Sequence, residues 1–477
     1  MAEKRIPPQT AIQGAGQDIP ALSLDRHYHF LGIGGVGMSA LAEWMHRNGY
    51  RVSGSDAQSS VTLDRLRRMG LVVRVGHDPA MIARADTVVF TSALSKNHSI
   101  WNTVASSGLH RLHRAELLGA LAGQGRLIAV TGTHGKTTTS ACLGHVLAEC
   151  GWDPTVLVGG GVMQWEQRNL RVGQSPWWVA EADESDGSFL SLSPEAVLLT
   201  NIGADHLDHY KTEANLESAF QAFVQRLPSG GTLVYCRDDP GATRVSRRFP
   251  GRRVGYGMQE TADVRVKVDQ MGPGNMELVF SAGEEQWRAG VSLMGHHNAL
   301  NFAGVFALGR ALGIGAAQIL DAISSFQGVA RRQQFVGCAR GYRIYDDYAH
   351  HPTEIRATLQ MFQEIYPGPI TVVFQPHLYS RTDRLAGDFA EALASADRVF
   401  VCEIFGAREE PVPGVSGALI VDRMRGHPRT RFLPDWRELP DALEPVGGKR
   451  GGILLIMGAG DVTGLGPLLT GSADAGP

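Results

Sequence analysis

The residues best placed to do chemistry lie between Arg126 and Cys150, RLIAVTGTHGKTTTSACLGHVLAEC. Arg126 to Thr131 is an apolar run of strand type. It breaks at Gly132, turns through Thr133, His134 and Gly135, and meets Lys136 and Thr137 at the head of an apolar-periodic helix. Such a turn cradles phosphate, because glycines let backbone N–H groups approach an anion and the helix N-terminus adds partial positive charge. Lys136 is spaced to reach β- and γ-phosphates, and the Thr137 hydroxyl to sit on Mg²⁺. The strict G-x-x-x-x-G-K-T spacing fails, since its first glycine position is Val130. The stretch is read as a nucleoside triphosphate site.

Other polar clusters follow apolar runs in the same way. Pro176 to Ala180 leads into Glu181-Ala-Asp183-Glu184-Ser-Asp186, four carboxylates directly after a strand, where nucleotide enzymes hold a Mg²⁺ ligand. Ala196 to Thr200 leads into Asn201-Ile-Gly-Ala-Asp205-His206-Leu-Asp208-His209-Tyr210, read as one metal ligand among helix-capping residues. Asn298 starts the helix expected over Ala299 to Leu312, as an N-cap or as a reader of an adenine edge. Arg331-Arg332 marks a junction. Beyond it, Tyr342 to Tyr345 ends in Asp346-Asp347-Tyr348-Ala-His350-His351, Ile370 to Phe374 in Gln375-Pro-His377-Leu-Tyr379-Ser380-Arg381, and Gly452 to Met457 in Gly458-Ala-Gly460-Asp461. Polar residues after strand upon strand make the rim of an α/β active site.

Near the N-terminus, a strand at His27 to Leu31 runs into Gly32-Ile-Gly34-Gly35-Val-Gly37-Met38 and a helix to about Asn48. A strand at Tyr50 to Ser53 follows, then Asp56. Alone this is a dinucleotide fingerprint and suggests a nicotinamide cofactor; its physical content is a pyrophosphate on a helix N-terminus with Asp56 placed for a ribose or base. Further strands are expected at Leu71 to Val75 and at Thr87 to Phe90, the latter ending in Thr91-Ser92, and a helix opens at His113 to Glu116. Val254 to Trp287 reads as a small antiparallel patch.

At 477 residues the chain exceeds one ordinary domain, and 43% hydrophobic with 19% charged residues describes a globular protein with ample core. A net charge of −3 gives no electrostatic reason to expect nucleic acid, so anionic substrates must be met by local cations and helix ends. Five widely spaced cysteines without a C-x-x-C pair fit a reducing compartment. No apolar stretch approaches the roughly 20 residues of a membrane span, so no membrane insertion and a cytoplasmic location are expected. MAEKRIPPQTAIQGAGQDIP and LLTGSADAGP read as loose tails.

Taken together, GTHGKTTT, EADESD, NIGADHLDHY, GHHNALN, GVARR, DDYAHHPTE, QPHLYSRT and GAGD resemble the Mur ligases, ATP-dependent amide ligases of peptidoglycan precursor synthesis, in order and over nearly the whole chain. GIGGVGMSALAE, DDYAHHPTEI, QPHLYSRT and AREEPVPGVSG look most like the branch that joins L-alanine to UDP-N-acetylmuramate. The resemblance displaces the nicotinamide reading. It implies an α/β chain of three domains: a Rossmann-like UDP-sugar domain over 23–122 after a tail over 1–22, a central P-loop ATPase with a mainly parallel sheet over 123–327, and a Rossmann-like amino-acid domain over 328–477.

By the same resemblance, Gly34, Gly35, Gly37 and Met38 would cradle the UDP diphosphate, with Asp56 at the uridine and Ser92 and His134 also at the UDP-sugar. Gly132, Thr133, His134, Gly135, Lys136, Thr137 and Thr138 would hold the ATP phosphates. Asn298 would read adenine, Arg332 would bridge the nucleotide and the last domain, and Asp347 would face the ribose. Thr137, Glu181 and His206 would hold Mg²⁺ or Mn²⁺, and Tyr348, His350, His377 and Arg381 would form the L-alanine pocket. Lys136, His206, Asn298, Arg332 and His350 would be the catalytic set. The implied partners are ATP, UDP-N-acetylmuramate and L-alanine, with the protein a monomer or homodimer whose domains close to exclude water. Two departures stand out: Leu378, where many relatives carry Arg, and Gln333, where the family usually has an aromatic residue.

Overall fold

The structure, a computed structural model, describes residues 22–94, 98–407, 409–424, 426–447 and 451–471. The tail expected over 1–22, its last residue excepted, lies outside the described residues, as do Arg408 of AREEPVPGVSG and the last six residues of the C-terminal tail. The chain forms three sheets and divides into two compact units. The first comprises residues 1–159, 169–265 and 303–319; the second comprises 160–168, 266–302 and 320–477.

The first unit opens with a five-stranded parallel sheet: β1 (His27–Leu31), β2 (Arg51–Asp56), β3 (Val72–Val75), β4 (Thr87–Phe90) and β5 (His110–His113), in the order β3-β2-β1-β4-β5. β2 runs three residues beyond its expected end because Gly54 and Ser55 pair with Phe30 and Leu31. The glycine is required there, since a Cβ at position 54 would drive into Ile33.

The second sheet contains β6 (Arg126–Thr131), β7 (Thr155–Val162), β8 (Arg168–Arg171), β9 (Trp177–Glu181), β10 (Ala196–Leu199), β11 (Thr232–Cys236) and β12 (Arg252–Gly257). Their order is β12-β11-β10-β6-β9-β7-β8. β6, β9 and β10 are near-continuous apolar runs buried on both faces, as a helix-covered parallel sheet demands. β6 is central and parallel to both β10 and β9. Their carboxyl ends therefore share one edge, which brings together the loops after Thr131, Glu181 and Leu199. One continuous core joins the first two sheets, from Tyr28 and Phe30 through Trp178 to Phe220 and Phe223, and Trp44 packs on Trp178 with ring centroids 4.9 Å apart.

The patch expected over Val254 to Trp287 needs correction. β12 and the first two residues of β13 (Val264–Gly272) pair in parallel. Antiparallel pairing joins β14 (Asn275–Ala282) to β15 (Glu285–Val291), the outer strands of a ribbon in the second unit. The same unit holds a six-stranded sheet of β16 (Gln334–Ala339), β17 (Tyr342–Asp347), β18 (Ile370–Phe374), β19 (Arg398–Val401), β20 (Thr430–Phe432) and β21 (Gly452–Met457). Its order is β16-β17-β21-β18-β19-β20, parallel except for β16 against β17. Helices Pro352–Ile365 and Tyr379–Leu393 pack on one face, and Trp436, Leu439, Val462 and Leu465 on the other.

Helix His296–Ala311 begins earlier than expected and corrects the N-cap reading of Asn298. Gly295, at φ +96°, turns the chain, and its carbonyl accepts the N–H groups of Asn298 and Ala299 at 3.0 Å. Asn298 therefore lies inside the first turn, and its side chain is released from capping. Among the described residues no helix is long and apolar enough to cross a membrane.

Leu455 sits at the centre of β21, fully buried between pairings to β17 and β18. Leu455→Ala removes its packing and leaves a cavity, a loss of about 2–5 kcal/mol. Urea unfolding followed by fluorescence should show a lower midpoint for the substituted chain; an unchanged midpoint would contradict the central placement of β21.

Candidate active site

The phosphate loop is built as its residue types require. Gly132 and Gly135 take left-handed φ values of +130° and +83°. A side chain at 132 would collide with Thr200 and the backbone of Asn201. The segment after β10 straps the loop in place. Asn201 Oδ1 accepts the His134 N–H at 2.9 Å, the Asn201 carbonyl accepts that of Thr133 at 2.9 Å, and Thr200 Oγ1 donates to the His134 carbonyl at 2.7 Å. The residues Asn201 to His209, read from sequence as ligand and caps, thus begin with a structural clamp.

Lys136 opens helix Lys136–Glu149. Its ammonium donates to the carbonyls of Gly132 and Thr133 at 2.7 and 3.2 Å and to both carboxylate oxygens of Glu184 at 2.9 Å. Burial works against the ammonium, but Glu184 and Asp183 outweigh it and hold its pKa above the ordinary lysine value. Glu184 is fully buried and was not singled out from the sequence, where it is one of four carboxylates in six residues. Periodicity carries no signal for it; the pairing spans 48 residues. Tyr210 donates to the Glu184 carbonyl at 2.5 Å, and His206 Nε2 lies 3.8 Å from Glu184 Oε1. Thr137 and Thr138 sit in the helix's first turn. Glu181, at the end of β9, accepts from Ser140 Oγ at 3.3 Å and lies across from Gly159, where a Cβ would come within 2.5 Å of its carboxylate.

The glycine-loop residues gather where β1 meets helix Val36–Arg47. Asp56 Oδ2 accepts the Gly34 N–H at 2.8 Å, so it clamps this loop directly. Met38 is buried in the helix, and Gly35 is its N-cap. Arg114, read from the sequence only as part of a helix start, covers Gly37: a Cβ there would meet its Nη1 at 2.5 Å. Its guanidinium also lies 3.8 Å from Asp183. Next to it, His113 Nδ1 accepts the Ala115 N–H at 3.3 Å, which leaves the proton on Nε2, 3.0 Å from Ser92 Oγ. Ser92 in turn donates to Asp186. Within the first unit this chain ties the end of β4 to the acidic loop after β9.

In the second unit, Arg331 and Gln333 both take left-handed φ, +60° and +52°, and splay the double arginine. Arg331 Nη2 donates to the carbonyls of Gly458 and Gly460 at 2.6 and 3.1 Å, whereas Arg332 lies 3.8 Å from Glu354 and over the Tyr348 ring at 5.0 Å. Asp347 accepts from the backbone N–H groups of Ala349 and Gln333 and from Thr358; burial, offset by Arg332, pushes its carboxyl up to about 6. Asn298 Nδ2 donates to the Met294 carbonyl at 2.8 Å and to Gln333 Oε1 at 3.3 Å.

The expected amino-acid residues converge. The Tyr348 and His350 rings lie 5.2 Å apart and those of His350 and His377 5.8 Å apart, with Phe405 stacked on His377 at 6.0 Å. Burial lowers the His350 pKa to about 4 against the pull of Glu354, with Arg381 reinforcing the fall, so its imidazole is neutral at physiological pH. Arg381 Nη1 is buried without a hydrogen-bond partner among the described residues, as expected for a cation awaiting an anion. Leu378 sits at φ +71° before helix Tyr379–Leu393, buried, and brings no charge to this group.

Among the described residues no group of three or more His, Cys, Asp or Glu is poised to hold a metal ion by itself. Mg²⁺ is generally bound by only one or two protein groups, with phosphate oxygens and water completing its shell.

Three family descriptions match in sequence order: Mur ligase family, catalytic domain, over residues 27–126; Mur ligase middle domain, over 130–309; and Mur ligase, glutamate ligase domain, over 331–460. The chain is 43% identical over 447 residues to the UDP-N-acetylmuramate–L-alanine ligase of Kineococcus radiotolerans, covering 92% of this chain and 94% of that protein. The enzyme of the same name from Renibacterium salmoninarum is 42% identical over 441 residues, covering 91% and 93%. Among solved structures, the UDP-N-acetylmuramate–alanine ligase of Thermotoga maritima superposes with a TM-score of 0.80 at 29% identity, covering 94% of this chain and 98% of that one. A murein peptide ligase from Psychrobacter arcticus shares the fold at TM-score 0.71 and 23% identity.

Replacing Glu184 by Gln tests the buried pair. The raised lysine pKa stabilises the folded state fully below the unfolded value, and this contribution fades as pH rises through the folded value. In Glu184→Gln the burial of Lys136 is countered by Asp183 and Glu181 alone. The alkaline limb of both activity and stability should therefore move to lower pH, and kcat/KM for ATP should fall at least tenfold. Superimposable pH profiles would show that Glu184 does not hold the charge on Lys136.

Proposed function

The chain belongs to the Mur ligase family, and from that premise we propose that it joins L-alanine to the lactyl carboxylate of UDP-N-acetylmuramate, with ATP cleaved to ADP and phosphate, in peptidoglycan precursor synthesis. The observation that carries this reading is identity above 40%, over nine-tenths of the chain, to ligases named for that reaction. A cytoplasmic location is part of this proposal.

A carboxylate does not acylate an amine unaided, because oxide is a poor leaving group. The lactyl carboxylate attacks the γ-phosphorus of ATP, the bond to the β-γ bridging oxygen breaks, and ADP leaves. The product is an acyl phosphate, whose phosphate is a good leaving group. Lys136, with the backbone N–H groups of Gly135 to Thr138 at the head of its helix, meets the phosphate charge. Its ammonium is engaged by Glu184, which keeps it protonated and in place. Thr137, Glu181 and His206 are the groups that would hold Mg²⁺ or Mn²⁺, which supplies charge neutralisation on the phosphates. Gly34, Gly35, Gly37, Met38, Asp56, Ser92 and His134 are assigned to the UDP-sugar, and Asn298, Arg332 and Asp347 to the nucleoside of ATP.

The amine of L-alanine must lose a proton to attack the acyl phosphate. His350, neutral through the physiological range, can accept it. Arg381 offers its unpartnered Nη1 to the amino-acid carboxylate, and Tyr348 and His377 flank His350. The tetrahedral intermediate then collapses to the amide and expels phosphate. A pocket sized for a methyl group separates alanine from glycine or serine by only about 1–3 kcal/mol.

Phosphate release from Mg²⁺-ATP tests the assignment. Release should require both UDP-N-acetylmuramate and L-alanine, with glycine and L-serine weaker. Release that demands a peptide instead of an amino acid would replace the assignment by the peptide-recycling reaction. Lys136→Ala should nearly abolish turnover while UDP-sugar binding, measured by calorimetry, stays within about threefold; equal loss of both would overturn the separation of the two sites. His350→Gln should slow amide formation while leaving ADP–ATP exchange driven by acyl phosphate formation, and loss of that exchange would remove His350 from the amine step.

A further inference from the structure

Glu354 lies in the first turn of helix Pro352–Ile365 and faces His350, the imidazole assigned to take the amine proton. Its Oε2 accepts the backbone N–H groups of His350 and His351 at 3.0 and 3.3 Å, a cap for the helix. The same oxygen stands 3.3 Å from His350 Nδ1, and Oε1 lies 3.8 Å from Arg332 Nη1. Capping accounts for the two backbone bonds, which a neutral glutamine would accept equally well. It does not account for a negative charge beside an imidazole.

His350 Nδ1 lies 3.0 Å from the Tyr348 carbonyl, which only accepts, so Nδ1 carries the proton and the lone pair is left on Nε2. The backbone by itself therefore sets the tautomer. What the backbone does not supply is charge. When Nε2 takes a proton, the ring becomes a cation among features that oppose it. These are burial, the guanidinium groups of Arg381 and Arg332, and the positive end of the helix that His351 caps. The Tyr348 and His377 rings, centred 5.2 and 5.8 Å from that of His350, bring no negative charge. Glu354 is the carboxylate that answers them.

We propose that Glu354 is a positioning residue that acts through His350: its charge beside Nδ1 stabilises the imidazolium formed when Nε2 takes the proton of the L-alanine ammonium. This rests on the assignment of His350 to that step. The ammonium N–H bond breaks with its electron pair left on nitrogen, and that pair attacks the acyl phosphate. The proton on Nε2 then passes to the expelled phosphate, which returns the ring to its neutral form.

The test uses the full-length protein with Mg²⁺-ATP and UDP-N-acetylmuramate saturating. Glu354→Gln keeps an oxygen for the helix cap and removes the charge. An opposite charge at this range raises the pKa of a cation by about 1–3, so its loss should lower kcat with L-alanine about tenfold. The acid limb of the kcat profile should move to lower pH, since the imidazole then stays neutral further down. Hydroxylamine, whose nitrogen is unprotonated at neutral pH, needs no base to become a nucleophile, so hydroxamate formation should keep its original rate. Equal loss with both nucleophiles, or loss with neither, would overturn the proposal. In a His350→Gln background, Glu354→Gln should cost nothing more; a further loss would show that Glu354 does not act through His350. If His350→Gln alone leaves turnover of L-alanine intact, the assignment of His350 itself fails. If it slows L-alanine while Glu354→Gln does not, the proposal falls alone.

Discussion

The buried pair of Lys136 and Glu184 is the interaction on which the phosphate site depends. A lysine at the head of a helix, inside a glycine turn, faces both the helix's positive end and its own desolvation. Without a partner it would shed its proton or swing out to solvent. Glu184 supplies the partner with both oxygens, and the carbonyls of Gly132 and Thr133 take the remaining donors. The glutamate is fully buried and depends equally on the lysine. Removing either leaves an uncompensated charge in a dry place, a loss that generally exceeds what the intact pair contributes to stability. The pair is better understood as keeping a cation ready for triphosphate than as a brace for the fold.

Geometry around that pair follows from parallel strand order. With β6 between β10 and β9, the phosphate loop, the acidic loop and the Asn201 strap emerge at one edge. Each loop is then fixed by the others: Thr200 and Asn201 hold the loop from one side, Glu184 from the other. The His113–Ser92–Asp186 chain carries the same acidic loop toward the end of β4, so the two sheets of the first unit meet through hydrogen bonds as well as through the shared core around Trp44 and Trp178.

The second unit solves a different problem, the holding of several titratable groups in a buried space. Asp347 is raised by burial and offset by Arg332, and His350 is lowered by burial against Glu354. The outcome at neutral pH is a carboxylate and a neutral imidazole three positions apart in sequence, one suited to accept hydrogen bonds and the other to accept a proton. Left-handed backbone at Arg331, Gln333 and Leu378 is part of the arrangement, since it turns successive side chains in different directions over short distances.

The sequence alone determined the elements and the kind of chemistry. Apolar runs such as LIAVT, VVF, ITVVF and GILLIM are local signals, and strands form at each of them. The Gly-Lys-Thr turn and the order of the polar motifs were equally local, which is why the family was legible before any coordinates. Tertiary structure decided the partners. Glu184 was one carboxylate in four until the fold set it 2.9 Å from Lys136. Asn298 was a cap until Gly295 started the helix three residues earlier and freed its amide for Gln333. Arg114 had no assigned place until the chain folded its guanidinium over Gly37. The physical reason is the same throughout: propensity and periodicity are set by near neighbours, whereas charge pairing and hydrogen-bond direction are settled between groups the sequence keeps far apart.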